Sequence, residues 1–163
     1  MPRDGRYPEN AGAIFREWLA FALIGFSSCG KLCKMNIQIN VYASPWNQQS
    51  CQDALAFGQS AVASGHKLQR VFFFMDGVYN GLRSQAPATD ETDILAQWLS
   101  LKQRSHCELL LCVAASANRG LLSAEEAARQ SKDTATVAEG FELAGLGQWA
   151  LGYGECDKVV SFR

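Results

Sequence analysis

The residue in this sequence whose setting best suits chemistry is Cys112, within Glu108–Gly120, E-L-L-L-C-V-A-A-S-A-N-R-G. A short apolar run leads into the cysteine, and small residues and then Asn118-Arg119-Gly120 follow it. A run of this length reads as a buried strand of a parallel sheet. Open α/β sheets place their ligand sites at the carboxyl ends of the strands. A thiol there is held by a rigid strand and faces a loop crevice. The thiolate is the nucleophile, and backbone N–H groups or a nearby cation favour it. The Ala114–Gly120 segment can supply the N–H groups and Arg119 the charge. Against this, free cysteine is among the most buried residue types and packs as a small hydrophobe. The residues alone leave both readings open.

The remaining chemistry is thinner. Cys51 falls on the apolar face of a helical pattern and reads as core. Cys107 precedes a strand and is expected to be partly exposed, and Cys156 lies in a loop. Either could resolve a bond formed at Cys112. Cys29 and Cys33 are spaced C-x-x-x-C, and His66 and His106 pair with no cysteines at zinc-ligand spacing, so no metal site is expected. Both histidines lie at element boundaries and read as solvated. Asp76-Gly77-Val78-Tyr79-Asn80 follows the second strand and opens on the same sheet edge as Cys112. It reads either as a turn or as a wall of the cysteine pocket, with Tyr79 or Asn80 supplying polar contacts. No G-x-G-x-x-G, P-loop, G-x-S-x-G or H-E-x-x-H is present, so no cofactor is implied.

The elements that hold these residues follow from periodicity. Ile37, Ile39, Val41 and Ala43 alternate with Gln38 and Asn40 as a strand does. Residues 48–63 repeat apolar side chains at helical spacing, with Gly65 a left-handed stop. Strands are expected over 68–74, 108–113 and 158–162, and a turn over 75–81. Helices are expected over 89–105, from Ser123 to about Gln130, and over 134–150, the last with Val137, Phe141, Ala144 and Gly145 on one face. Alternating strands and helices predict a single α/β domain. Its central sheet is mainly parallel, with helices on both faces.

A chain of 163 residues can build one such core and is too short for two. The net charge of -1 gives no general argument for nucleic acid or membranes. Six scattered cysteines in a chain with its own core point to a reducing compartment. Residues 1–34 differ from the rest. Trp18–Phe26 is apolar but too short to span a bilayer, and no convincing cleavage site follows it. The domain is expected to begin at Met35, with 1–34 a start-site extension or accessory tail outside the fold. A targeting role is the alternative.

From Met35 onward the chain resembles the DsrE/TusD family of sulfur-carrier proteins. The resemblance rests on V-F-F-F-M-D-G-V-Y-N (Val71–Asn80), P-A-T-D-E-T-D (Pro87–Asp93) and L-C-V-A-A-S-A-N-R-G (Leu111–Gly120). G-F-E-L-A-G-L-G (Gly140–Gly147) and C-D-K-V-V-S-F (Cys156–Phe162) complete it, and the TusD branch fits best. The resemblance implies a sulfurtransferase whose cysteine, Cys112 here, carries sulfane sulfur as a persulfide. It further implies a cytoplasmic heterohexamer with TusB-like and TusC-like subunits, a TusA-like sulfur donor and a TusE-like acceptor. The end product would be 2-thiolated wobble uridine in tRNA, with no direct tRNA binding by this chain. Residues 1–34 have no counterpart in that pattern. A DsrE subunit of dissimilatory sulfur oxidation and a non-catalytic scaffold subunit are the competing readings.

Overall fold

The computed structural model describes residues 34–46 and 49–163. The chain divides into two units, Met1–Cys33 and Lys34–Arg163, and only the second is described. The expectations for residues 1–33 therefore lie outside the described residues.

Five strands form the sheet: β1 (Asn36–Val41), β2 (Lys67–Phe73), β3 (Glu108–Cys112), β4 (Glu142–Ala144) and β5 (Lys158–Phe162). Their order is β4-β3-β2-β1-β5, and every pairing is parallel. The helices are α1 (Gln49–Ala63), α2 (Ile94–Ser105), α3 (Val113–Ala117), α4 (Ala124–Arg129) and α5 (Leu146–Glu155). Met75–Gly81 forms a 3₁₀ segment where a turn was expected.

The two faces of the sheet differ in chemistry. Alternation along each strand sends Ile39, Val71, Phe73, Leu109 and Leu111 to one face. There α1 and α2 cover them: a Cβ on Gly58 of α1 would touch Leu101 of α2, Ile39 and Leu68. Phe73 and Trp98 stack edge to face at 5.2 Å, a geometry worth about 0.5–1.5 kcal/mol beyond area burial. The opposite face carries Gln38, Asn40, Arg70, Leu110 and Cys112, and α5 crosses it.

The seat of α5 is polar. Gln38 Nε2 donates to Trp149 O at 3.1 Å, and Arg70 Nη1 donates to Gln148 O at 3.0 Å. Arg70, 5% exposed, also bridges Glu108 at 3.2 Å and Glu155 at 2.9 Å. Gly152 lies directly against the Gln38 amide, where a Cβ has no room. With its backbone toward the sheet, α5 turns Leu146, Leu151 and Tyr153 to solvent.

Several sequence expectations are corrected. The helix expected over 134–150 does not form; β4 and α5 replace it. Gly140 takes φ +95, Val137 bridges Leu82, and Glu142–Ala144 gain ladder partners along β3. Val137, Phe141, Ala144 and Gly145 thus share no helical face. The helix expected from Thr89 begins at Ile94, because Asp93 caps it by accepting from Ala96 N at 2.9 Å. Cys107 is 1% exposed rather than partly exposed. It follows left-handed His106, which ends α2 and turns the chain inward to β3.

Candidate functional site

Cys112 is the last residue of β3 and the N-cap of α3. Its place follows from its surroundings in sequence. Glu108–Leu111 pair with β2 on one side, and Cys112 pairs with Ala144 of β4 on the other. The Ala-rich stretch after it turns directly into α3 with no intervening loop. Its side chain shares a face with Leu110, and the residue is 1% exposed. One turn further along α3, Ser116 is fully buried, and its hydroxyl has no hydrogen-bond partner among the described residues.

Asp76 and Arg119 meet. Arg119 Nε and Nη2 each lie 2.9 Å from Asp76 Oδ1. This joins the connection after β2 to the segment after α3, at the sheet edge where Cys112 ends its strand. Arg119 Nη1 also donates to Ala115 O at 3.3 Å, so the guanidinium folds back along α3. Gly77 is needed for this geometry: any Cβ there would collide with Val41 O at the end of β1.

Tyr79 and Asn80 go elsewhere. Tyr79 stacks on Trp46, with centroids 5.4 Å apart. Asn80 is fully buried. Its Oδ1 accepts from Cys51 Sγ at 2.9 Å and from Trp98 Nε1 at 3.0 Å. Its Nδ2 donates to Gly77 O at 2.8 Å and to Ala43 O at 3.1 Å. Asn80 therefore locks the 75–81 segment to β1, α1 and α2, and the thiol it engages is Cys51, on the opposite side of the sheet from Cys112.

Burial pushes the Cys51 thiol up to about 11, against smaller lowering by Asn80 and Trp98. Burial also raises Cys107 and Cys156, with opposing contributions led by the Ser105 hydrogen bond and by Arg70 respectively. Among the described residues no group of three or more His, Cys, Asp and Glu side chains is placed to hold a metal ion. Sequence reading missed the buried Gln38–Asn40–Arg70 face. Its signal was present: strands in the middle of a parallel sheet are covered on both sides, so polar residues there are buried too.

A parallel α/β sheet with a cysteine at the carboxyl end of an interior strand, directly heading a helix, defines the class: a small α/β protein with a thiol at its ligand edge. The chain belongs to the DsrE/DsrF-like family, whose model matches residues 35–162. It is 38% identical over 117 residues to Sulfurtransferase TusD of Photorhabdus laumondii, covering 72% of this chain and 89% of that protein. It is 38% identical over 128 residues to Sulfurtransferase TusD of Enterobacter sp., covering 78% of this chain and all (100%) of that protein. Sulfurtransferase TusD of Cronobacter sakazakii gives 37% over 128 residues, with the same coverage of 78% and 100%. Among solved structures, the ychN protein from E. coli superposes with a TM-score of 0.61 at 25% identity, covering 78% of this chain and 98% of that one.

Proposed function

We propose that this protein is a sulfurtransferase subunit in which Cys112 accepts sulfane sulfur as a persulfide and passes it on. The observation that carries the reading is the place of Cys112, at the carboxyl end of β3 and the head of α3, in a chain similar to three TusD sulfurtransferases. The chemistry asks for little else. The Cys112 thiolate attacks the terminal sulfur of a donor persulfide. A new S–S bond forms, the donor S–S bond breaks, and the donor thiolate leaves with the electron pair. An acceptor thiolate later takes the same sulfur, and Cys112 leaves as thiolate. No oxidant, metal or nucleotide enters either step.

In the pathway we favour, the donor is TusA-like, the acceptor TusE-like, and the end product 2-thiouridine at the tRNA wobble position. The work is done in the cytoplasm within a heterohexamer with TusB-like and TusC-like subunits. One observation supports the assembly: the outward apolar side chains of α5, Leu146, Leu151 and Tyr153, suit a protein partner.

The test is complementation. In a bacterial strain lacking its TusD, this chain, co-expressed with its TusB-like and TusC-like partners, restores 2-thiouridine in tRNA, and Cys112→Ser does not. Normal 2-thiouridine with Cys112→Ser contradicts the relay. Failure of both chains, with sulfur still loading on Cys112, favours the dissimilatory sulfur-oxidation pathway.

A second reading, a scaffold subunit, draws on the 1% exposure of Cys112. Native alkylation separates the two: a relay thiol is labelled by a small reagent in the assembled complex, and a scaffold thiol is not.

A further inference from the structure

Open α/β sheets bind ligands in the crevice outside the strand ends, at the point where the strand order reverses. In the order β4-β3-β2-β1-β5 that point is β1: the chain steps outward from β1 to β4, and β5 then pairs on the other side of β1. A cavity of about 520 Å³ opens there, between the connection from β1 to α1 and the connection from β2 to α2. Trp46 forms one wall. Its indole stacks on Tyr79 and is still 55% exposed. Gln52, Gln85, Glu91 and Thr92 supply the polar lining. The Gln85 amide is fixed in orientation: Nε2 donates to the carbonyls of Tyr79, Asn80 and Leu82, each within 3.2 Å, and Oε1 is left to accept. None of the described lining residues is basic. The positive end of α2 is already covered by Asp93, which accepts from Ala96 N at 2.9 Å.

We propose that this cavity is a docking site for an arginine side chain of a protein partner. The lining calls for a cation rich in hydrogen-bond donors. Glu91 supplies a carboxylate, Gln85 an oriented carbonyl oxygen, and Trp46 the negative face of an aromatic ring. Phosphate and carboxylate ligands find no counter-charge among the described lining residues. Arginine suits the site better than lysine, because a planar guanidinium stacks on an indole while its N–H groups reach acceptors in its own plane. The cavity is open to solvent and half of Trp46 is exposed, so it does not enclose a free small molecule as ligand pockets do. A side chain carried by a protein binds with the surrounding surface as well, and interfaces concentrate their energy on Trp and Arg. The ends of β1 and β3 are two strands, about 10 Å, apart across the sheet. A protein anchored at Trp46 therefore also lies along the edge where Cys112 ends its strand. The inference does not depend on the persulfide reading, since no residue of the cavity lining takes part in the chemistry of Cys112.

The experiment titrates the isotope-labelled full chain with a short Gly/Ser peptide that carries one arginine and is capped at both ends. Binding is read by NMR from the Trp46 indole N–H, identified as the resonance missing in Trp46→Phe, and from the Thr92 backbone N–H. The arginine peptide shifts both resonances saturably. Citrulline in place of arginine keeps the shape without the charge and weakens binding about tenfold, the size of one hydrogen-bonded charge contact. Glu91→Gln gives a comparable loss, and so does Trp46→Leu, followed at Thr92. Both side chains are exposed, so the unfolding midpoints of these variants stay close to that of wild type. Free arginine binds no more tightly than the capped peptide. Equal binding of the citrulline peptide, or wild-type affinity in Glu91→Gln, overturns the cation site. A preference for free arginine over the peptide assigns the cavity to a small metabolite and overturns the docking site. Sulfur loading on Cys112, measured on the same variants, is the separate test of the relay, and its failure leaves the arginine site standing.

Discussion

The Cys51 sulfur lies 2.9 Å from Asn80 Oδ1, and this contact ties the first helix to the turn that follows β2. The same oxygen accepts from the Trp98 indole, so helix, turn and second helix meet at one buried amide. The thiol there is a structural donor, raised from 9.0 to about 11 by burial. In the unfolded chain it ionises near 9, whereas in the folded protein it keeps its proton to about 11. Above pH 9 the folded state therefore binds more protons than the unfolded state, and stability falls as pH rises. The expected loss between pH 9 and 11 is about 2–3 kcal/mol from this group. Urea unfolding of wild type and Cys51→Ala across that window measures it: the variant lacks this part of the slope.

Asn80→Ala removes the buried amide from its four partners, the Cys51 thiol, the Trp98 indole and the Ala43 and Gly77 carbonyls, and leaves the indole without its acceptor. Losses of this kind cost about 2–4 kcal/mol. Chemical denaturation is expected to show this drop. Asn80 engages Cys51 rather than Cys112, so native alkylation of Cys112 is expected to stay within about twofold of wild type, a change worth under 1 kcal/mol.

Gly77→Ala acts at the same turn by a different route. A methyl group has no room beside Val41 O, so the turn must move off the end of β1. The displacement carries Asp76 away from Arg119. Overpacking of this sort costs about 1–3 kcal/mol, measured by thermal or urea unfolding. The exposed Asp76–Arg119 pair by itself contributes about 1 kcal/mol or less, and a double-mutant cycle reads that coupling.

Much of this arrangement was legible in the sequence where one local cause acts alone. Gly65 takes φ +82 as a left-handed stop should, and Ser123 caps α4 by accepting from Glu126 N. The apolar run ending in Cys112 is a strand, and Asp76 and Arg119, expected near it, meet across the edge. Reading failed where distant contacts outweigh local pattern. The spacing of Val137, Phe141 and Ala144 suits a helix, but pairing with β3 and a left-handed Gly140 select a strand. Asn80 follows the second strand at the right edge, yet whether its side chain turns to Cys112 or to Cys51 depends on packing between α1 and α2. Periodicity carries no information on that choice. The polar seat of α5 is different: alternation alone makes Gln38 and Asn40 look solvent-facing, although a parallel sheet covered on both faces already requires them to be buried.

A chain beginning at Met35 is expected to fold cooperatively, because Lys34–Arg163 forms a compact unit of its own. A single unfolding transition, coincident by circular dichroism and tryptophan fluorescence, checks this. Aggregation of the shortened chain alone would assign residues 1–34 a packing role.

The most direct measurement is the mass of the Cys112 peptide after the full chain is incubated with a cysteine desulfurase, cysteine and a TusA-like carrier. A persulfide relay adds the mass of one sulfur to that peptide, removable by a thiol reductant, and Cys112→Ser gains none there. A Cys112→Ser protein that takes up sulfur at full stoichiometry, or a wild-type Cys112 peptide that never gains mass while the carrier is loaded, contradicts sulfur transfer through this residue.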